Sequence, residues 1–241
     1  MQIIRGDDYQ SWVYSHGAEM VVVDPWLTNA QEFPVFKWLL YRPSTEPSYL
    51  QRHNLVSQVN YIIITAHFSD HLDLASLSQF DSNIPIYTTK EAKRTLIANG
   101  FLNVIVVKSD HEYQLGKFTL EVFNAGKPYN TTTFSYKLTA GDSNVFHEPH
   151  MLDPKLSFDS LDACILTVDQ VKVLGLIQVS MSECDAEKAK ARLNANYLLA
   201  TGVYPSRSKG LISRILSIVE SSNALNSVSV ICKNPGDSLT I

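Results

Sequence analysis

Glycine is scarce, 10 in 241 residues, and it nowhere gathers into a phosphate-cradling loop, a dinucleotide fingerprint or a Gly-x-Ser-x-Gly elbow. Those gaps remove nucleotide binding and serine-nucleophile chemistry from the readings worth pursuing. Cysteine is scarcer: Cys164, Cys184 and Cys232 are an odd number, widely spaced and without a Cys-x-x-Cys pair, which argues against a structural zinc cluster and fits a reducing compartment. Charge of either sign is not in excess. With a net charge of -4, a pI near 6.0 and no Lys/Arg run longer than two, the chain has no long-range attraction to nucleic acid or anionic lipid. Long apolar runs are missing too. The most apolar window, 164–181, is interrupted by Asp169, Gln170, Lys172 and Gln178, so it falls short of the roughly 20 apolar residues a membrane span needs. The first residues, Met1-Gln2-Ile3-Ile4-Arg5-Gly6-Asp7-Asp8, lack the basic-then-apolar profile of a signal peptide, and a cytoplasmic address is the expectation.

What is present is a core. Hydrophobic residues make up 45% of the chain against 18% charged, enough for one larger soluble domain over 1–241, with no repeat or linker to divide it. Trp12-Val13-Tyr14 and Met20-Val21-Val22-Val23 read as a hairpin turned at His16-Gly17-Ala18, running into Asp24-Pro25-Trp26. In the first half, strand patterns at 61–64, 84–87 and 104–107 alternate with helical ones, the longer capped by Thr88 or Thr89 and closed at Asn99-Gly100. The second half is strand-rich: Phe118 to Phe123 alternates with period two, and strands are expected at 134–138, 144–146, 163–168, 171–174 and 198–203. Ser182 with Asp185 announces a helix through Tyr197; a last helix is expected over 210–220 and a closing strand over 228–232. The aromatic, proline-punctuated stretch 28–53 reads as a short helix packed on the core, or as a lid or subunit contact.

The chemistry gathers beyond one buried strand. After Tyr61-Ile62-Ile63-Ile64 come Thr65-Ala66-His67-Phe68-Ser69-Asp70-His71, two imidazoles and a carboxylate within five positions. A turn can aim three such side chains at a divalent ion such as Zn²⁺, which takes neutral imidazole nitrogen and carboxylate oxygen at about 2.0 to 2.2 Å. The competing reading has Asp70 cap the next helix and leaves both histidines as ordinary polar residues.

His67-Phe68-Ser69-Asp70-His71 resembles the His-x-His-x-Asp-His signature of the metallo-β-lactamase fold superfamily, with Ser69 in place of the middle histidine. The opening hairpin with Asp24-Pro25-Trp26 and the Gly141-Asp142 turn are further points of similarity. The resemblance implies a four-layer αββα sandwich, a mixed α/β fold that periodicity alone does not single out. It implies metal ligands at His67, Asp70, His71 and Asp142, with Asp70 and Asp142 orienting a reactive water. The loop 124–129 lacks the expected third histidine and offers Lys127, whose ammonium could stand in for metal charge or be solvated. Ser206 or Tyr204 stands where a final histidine is expected, and Asp24 has at best a supporting role. His147 and His150 could replace lost ligands or hydrogen-bond in their own loop. The implied cofactor is Zn²⁺ or another divalent metal, one ion or none. The expected function is hydrolysis of a small molecule at a depleted metal site, with a metal-free binding or regulatory module as the alternative; neither nucleic acid nor membrane is an expected partner, and oligomeric state is open.

Overall fold

The computed structural model describes residues 1–33, 38–221 and 232–241. The chain opens with β1 (Gln2–Arg5), then β2 (Trp12–His16) and β3 (Glu19–Val23), joined at Gly17, whose φ of 63° is the left-handed conformation that glycine adopts without steric cost. A small hairpin follows, β4 (Ala30–Phe33) with β5 (Leu40–Pro43), then the single turn α1 (Tyr49–Arg52). The 28–53 stretch thus contributes a hairpin as well as the short helix expected of it, whose Leu50 is buried in the core. Next come β6 (Tyr61–Ile64), α2 (Leu74–Leu77), β7 (Ile86–Thr88), α3 (Lys90–Ala98) and β8 (Val104–Val106), the alternation expected from the sequence. Thr89 caps α3 by accepting from the Ala92 amide, and Asp73 caps α2 in the same way through Ser76.

An antiparallel run of β9 (His111–Leu115), β10 (Phe118–Asn124), β11 (Phe134–Ala140) and β12 (Ser143–Glu148) builds the second half. It continues through β13 (Leu161–Thr167), β14 (Gln170–Val173), β15 (Ile177–Gln178), α4 (Glu183–Arg192), β16 (Ala195–Thr201), β17 (Leu216–Val219) and β18 (Ser238–Thr240). The Ser182–Asp185 capping box is present at α4. The helix expected over 210–220 is instead a 3₁₀ turn, Ile212–Ile215, followed by β17. The apolar spacing there serves a strand paired with β14, and no helix face packs on the core. Positions 228–231 of the expected closing strand lie outside the described residues.

Two sheets result, β18-β1-β2-β3-β6-β7-β8 and β16-β13-β12-β11-β10-β9, with β15-β14-β17 and β4-β5 as small additions. Trp12, Tyr14, Val21 and Ile63 of the first sheet meet Leu120, Val122, Leu138 and Ile165 of the second, forming the central core. The outer face of the first sheet buries Val22, Ile62 and Ile64 against Leu77, Ala92 and Leu96; the outer face of the second buries Cys164 and Leu166 against Ala186, Ala189 and Leu193. Because successive strand residues face opposite ways, each sheet is apolar on both sides and needs both a partner sheet and a helical cover. Each fully buried aliphatic side chain contributes about 1.5–3 kcal/mol to holding the four αββα layers together.

Topology places the functional end. β3 runs parallel to β6, and β12, β13 and β16 run parallel to one another, so Val23, Ile64, Glu148, Thr167 and Thr201 all finish at one edge of the sandwich. Side chains just beyond strand carboxyl ends are what such an arrangement offers to a ligand.

Candidate functional site

Asp24 follows β3 with φ 45°, a left-handed conformation that an aspartate tolerates better than most residues but that still costs free energy. Its amide is bonded to the Ile63 carbonyl at 2.9 Å, and its carboxylate turns across β6. There Oδ1 accepts from the Thr65 amide at 2.8 Å, while Oδ2 accepts from Thr65 Oγ1 at 2.6 Å and from His71 Nδ1 at 2.7 Å. A carboxylate only accepts, so Nδ1 of His71 carries the proton and Nε2 is left to face the other sheet. The turn that delivers His71 is tight: its own amide and that of Leu72 both return to the Phe68 carbonyl.

From the opposite sheet, β12 ends at Glu148 and the chain turns through Pro149 to His150. Glu148 Oε1 accepts from the His150 amide at 2.9 Å, and Thr167 Oγ1 donates to the His150 carbonyl at 2.9 Å. His150 Nε2 thereby stands 3.1 Å from His71 Nε2. Tyr129 stacks on His150 with ring centroids 4.1 Å apart, and Phe68 meets the His71, His150 and Tyr129 rings edge-on. Asp70 Oδ2 lies 3.6 Å from His71 Nε2, and the Asp70 carbonyl accepts from the amides of Gln10 and Gln31.

Burial governs the protons. It draws His71 down, but the carboxyls of Asp70, Asp24 and Glu148 outweigh it and hold this imidazole above its ordinary value. His150 is pushed well below, by burial and then by the charges of His71 and His147. Burial lifts Asp70, against the pull of His71, and lifts Glu148 to about 8. His147 falls to about 3; its Nδ1 meets the Tyr136 hydroxyl at 2.9 Å, which in turn meets Tyr14 at 3.0 Å. Three polar atoms along this stretch, His147 Nε2, Glu148 Oε2 and His150 Nδ1, are buried without a hydrogen-bond partner.

The residues expected at the site divide sharply. His71 and Asp70 are there, and so are Asp24 and His150, which had been given supporting or optional places. His67 is exposed, lies against Phe68 and lines an open groove with Ser69 that Phe68 and Asp70 also border. Lys127 is exposed on its loop, and Ser206 is exposed with its amide bonded to Glu220. His147 is buried in the inter-sheet core behind the pocket, bonded to Tyr136. Asp142 is not brought to His71. Asp142 is exposed in the β11–β12 turn, where Gly141 faces His16 and Ser143 is bonded to the chain's amino group. That is the far end of β12 from His150, roughly 17 Å or more at a strand's rise per residue. The hairpin reverses after Asp142, and β12 runs on to Glu148, so His150 comes to stand opposite His71.

Thr65, Gln10, Tyr129 and Phe68 were missed. Thr65 stood at the end of the central strand and was readable as a polar residue facing Asp24; Tyr129 stands in the loop that lacked the third histidine.

A structural or catalytic zinc takes at least three protein ligands. His71 and His150 supply two facing nitrogens, and Asp70 approaches only the first of them. Among the described residues no three His, Cys, Asp or Glu side chains meet in a form that holds a metal ion. Nor is any helix among them long and apolar enough to cross a membrane.

The model of the beta-lactamase superfamily domain matches residues 7–201. Among solved structures the chain is similar to a possible metal-dependent hydrolase from Veillonella parvula DSM 2008, at 14% identity and TM-score 0.72, over 100% of this chain and 99% of that one. It is similar to an isothiocyanate hydrolase from Delia radicum gut bacteria at 16% identity and TM-score 0.73, over 100% and 99%. It is also similar to Zn²⁺-bound PqqB from Methylobacterium extorquens at 12% identity and TM-score 0.58, over the whole of both chains. At such identities the likeness is one of fold. No curated protein matches the chain.

Proposed function

The chain belongs to the beta-lactamase superfamily domain family, and from that premise we propose that it hydrolyses a small molecule through a shared-proton pair of imidazoles in place of a complete metal centre. The observation that carries this reading is the 3.1 Å approach of His71 Nε2 to His150 Nε2 with Asp24 on the far side of His71. Two ring nitrogens at that distance need a proton between them. With Nδ1–H of His71 committed to Asp24, His150 donates through Nε2 and its unpartnered Nδ1 keeps a lone pair. With His71 in its neutral form, a water admitted beside the buried His150 Nδ1 loses its proton to that nitrogen as the Nε2 proton passes to His71. The resulting imidazolium lies between Asp24 and Asp70; the hydroxide attacks the bound electrophile, the bond to the leaving group breaks, and the proton returns along the same pair of rings to the departing group. General-base help of this kind is worth about 10² to 10⁴ in rate.

The family's structural neighbours bearing hydrolase names support the reaction class. A divalent ion such as Zn²⁺ would find His71, His150 and Asp70 as its nearest donors, and the incomplete set supports weak binding at most. That incompleteness also favours the second reading, a binding or regulatory module that turns nothing over. In either case the chain is read as one domain over 1–241, acting in the cytoplasm on a small ligand and on neither nucleic acid nor membrane.

The test is hydrolysis of p-nitrophenyl butyrate, with and without EDTA, alongside the metal content of untagged protein. The proposed function expects turnover that EDTA leaves intact and that His150→Ala removes, with metal well below one per chain. Stoichiometric metal lost in His150→Ala, with EDTA-sensitive turnover, would establish a metal centre; no turnover in wild type would leave the binding module.

A further inference from the structure

The pocket in front of His150 is more apolar than polar. It encloses about 300 Å³, and Leu40, Phe68, Pro149, Val171, Val179 and Leu216 supply its apolar surface. Its ionisable groups, Asp70, His150 and Tyr129, sit together at the reactive end; Gln10, Thr167, Ser180 and Ser208 add uncharged polar lining, and Val171, Val179 and Leu216 come from β14, the residue after β15, and β17. Among the described residues no lysine or arginine lines it.

The cations that surround the wall residue Tyr9 are already committed. Arg42 lies over the Tyr9 ring at 4.4 Å but is paired to Asp8 at 3.2 Å, and Arg207 is paired to the same carboxylate at 3.1 Å. Arg5 is fully buried and donates to the carbonyls of Asp7, Tyr9 and Ala200. At the reactive end the charge of His71 is enclosed by Asp24 and Asp70. An anionic ligand entering this pocket would give up its water, meet no free cation and come to rest beside the Asp70 carboxyl. Burying an ion on those terms costs several kcal/mol.

We propose that the pocket selects an uncharged small molecule, its electrophilic or amide-like head at His150 and its apolar tail between Val171, Val179 and Leu216, and that it rejects carboxylates and phosphates of the same shape. The selection rests on the reading of this pocket as the ligand site, yet its test requires no turnover.

Three probes share one tail and differ in the head: hexanamide, hexanoate and hexyl phosphate. Calorimetric titration of the wild-type chain at neutral pH is expected to give hexanamide an affinity at least about tenfold above either anion, a margin of about 1.4 kcal/mol. Val179 is half-buried, so Val179→Lys introduces a cation without opening the core; it is expected to raise hexanoate affinity about tenfold and to reverse the order. Leu216→Lys provides a second such variant on the opposite strand. Equal or tighter binding of either anion by the wild type, or binding of none of the three, would overturn the selection. A hexanamide preference without hydrolysis of p-nitrophenyl butyrate would leave the selection standing and bring down the imidazole mechanism. Hydrolysis combined with an anion preference would do the reverse.

Discussion

Strand β12 has a carboxylate at each of its ends, Asp142 just before it and Glu148 at its finish, and only one of the two is enclosed. At its start lie Asp142 and Ser143, in a solvated turn beside His16. At its finish lie Glu148 and His150, enclosed by the Asp24–Thr65–His71 system and by the rings of Phe68 and Tyr129. Composition does not separate the two ends. Burial does, because an interior carboxyl or imidazole must find a partner or change its protonation, whereas a surface one is satisfied by water. The contrast also follows the topology, since only the Glu148 end coincides with the carboxyl ends of β3, β6 and β13.

The most damaging change to that contrast is to remove the buried end's central group. His71→Ala takes away the ring that connects Asp24 to His150 and is expected to lower kcat/KM for p-nitrophenyl butyrate by about 10² to 10⁴, the range of general-base contributions. Asp24→Asn follows in size. The ring would lose the acceptor that fixes its tautomer, and a fall in kcat of about 10² is expected. A pH–rate profile distinguishes this from simple misfolding. In wild type the rate should rise with pH as His71 loses its extra proton, with a midpoint above the ordinary imidazole value because Asp70 and Asp24 hold it up. Removing the Asp24 charge lowers the His71 pKa, so the midpoint should move to lower pH in the variant. A midpoint that stays put would separate Asp24 from the titration.

Stability offers a third, smaller effect. Glu148 titrates near 8 in the fold against an ordinary 4.5. Between those values the unfolded chain has released the proton and the folded chain has kept it. Folding stability therefore falls as pH rises through that window, by up to about 1.4 kcal/mol per unit, and the loss is absent below it. Glu148→Gln keeps an oxygen for the His150 amide and cannot ionise. Urea titrations at pH 5 and pH 8 should show the wild type losing a few kcal/mol between them and the variant losing much less; parallel losses would mean that the carboxyl does not titrate there.

Much of this arrangement was legible before the fold was known. Alternation in 118–123, the Ser182 cap and the apolar strand at 61–64 each depend on neighbours in the chain, and each forms as read. Asp70 and His71 lie in the turn a few residues beyond that strand. Failures came where the outcome depends on distant partners. Leu211, Ile212, Ile215 and Val219 fit a helical stripe, but pairing with β14 makes a strand of 216–219. Asp142 and His150 are only eight positions apart, and which of them reaches His71 depends on the hairpin's point of reversal, a matter of register that local spacing does not contain. Tyr129 had no local signal at all, since its stacking partner His150 comes from the turn after β12.

The finest test of the two-ends comparison is the variant expected to do nothing. Asp142→Ala alters an exposed turn residue that follows Gly141, and among the described residues its carboxylate enters no ion pair. Surface substitutions of that sort stay within about 0.5 kcal/mol. Gly141 supplies the turn's left-handed conformation with φ 59°, so alanine at 142 should not disturb the hairpin. The expectation is an unchanged denaturation midpoint, unchanged p-nitrophenyl butyrate hydrolysis and an unchanged pH profile. A tenfold loss of rate with stability intact would mean that the carboxylate reaches the reactive centre after all, which the present course of β12 forbids, and would require the hairpin to be shifted in register so that Asp142 replaced His150 opposite His71.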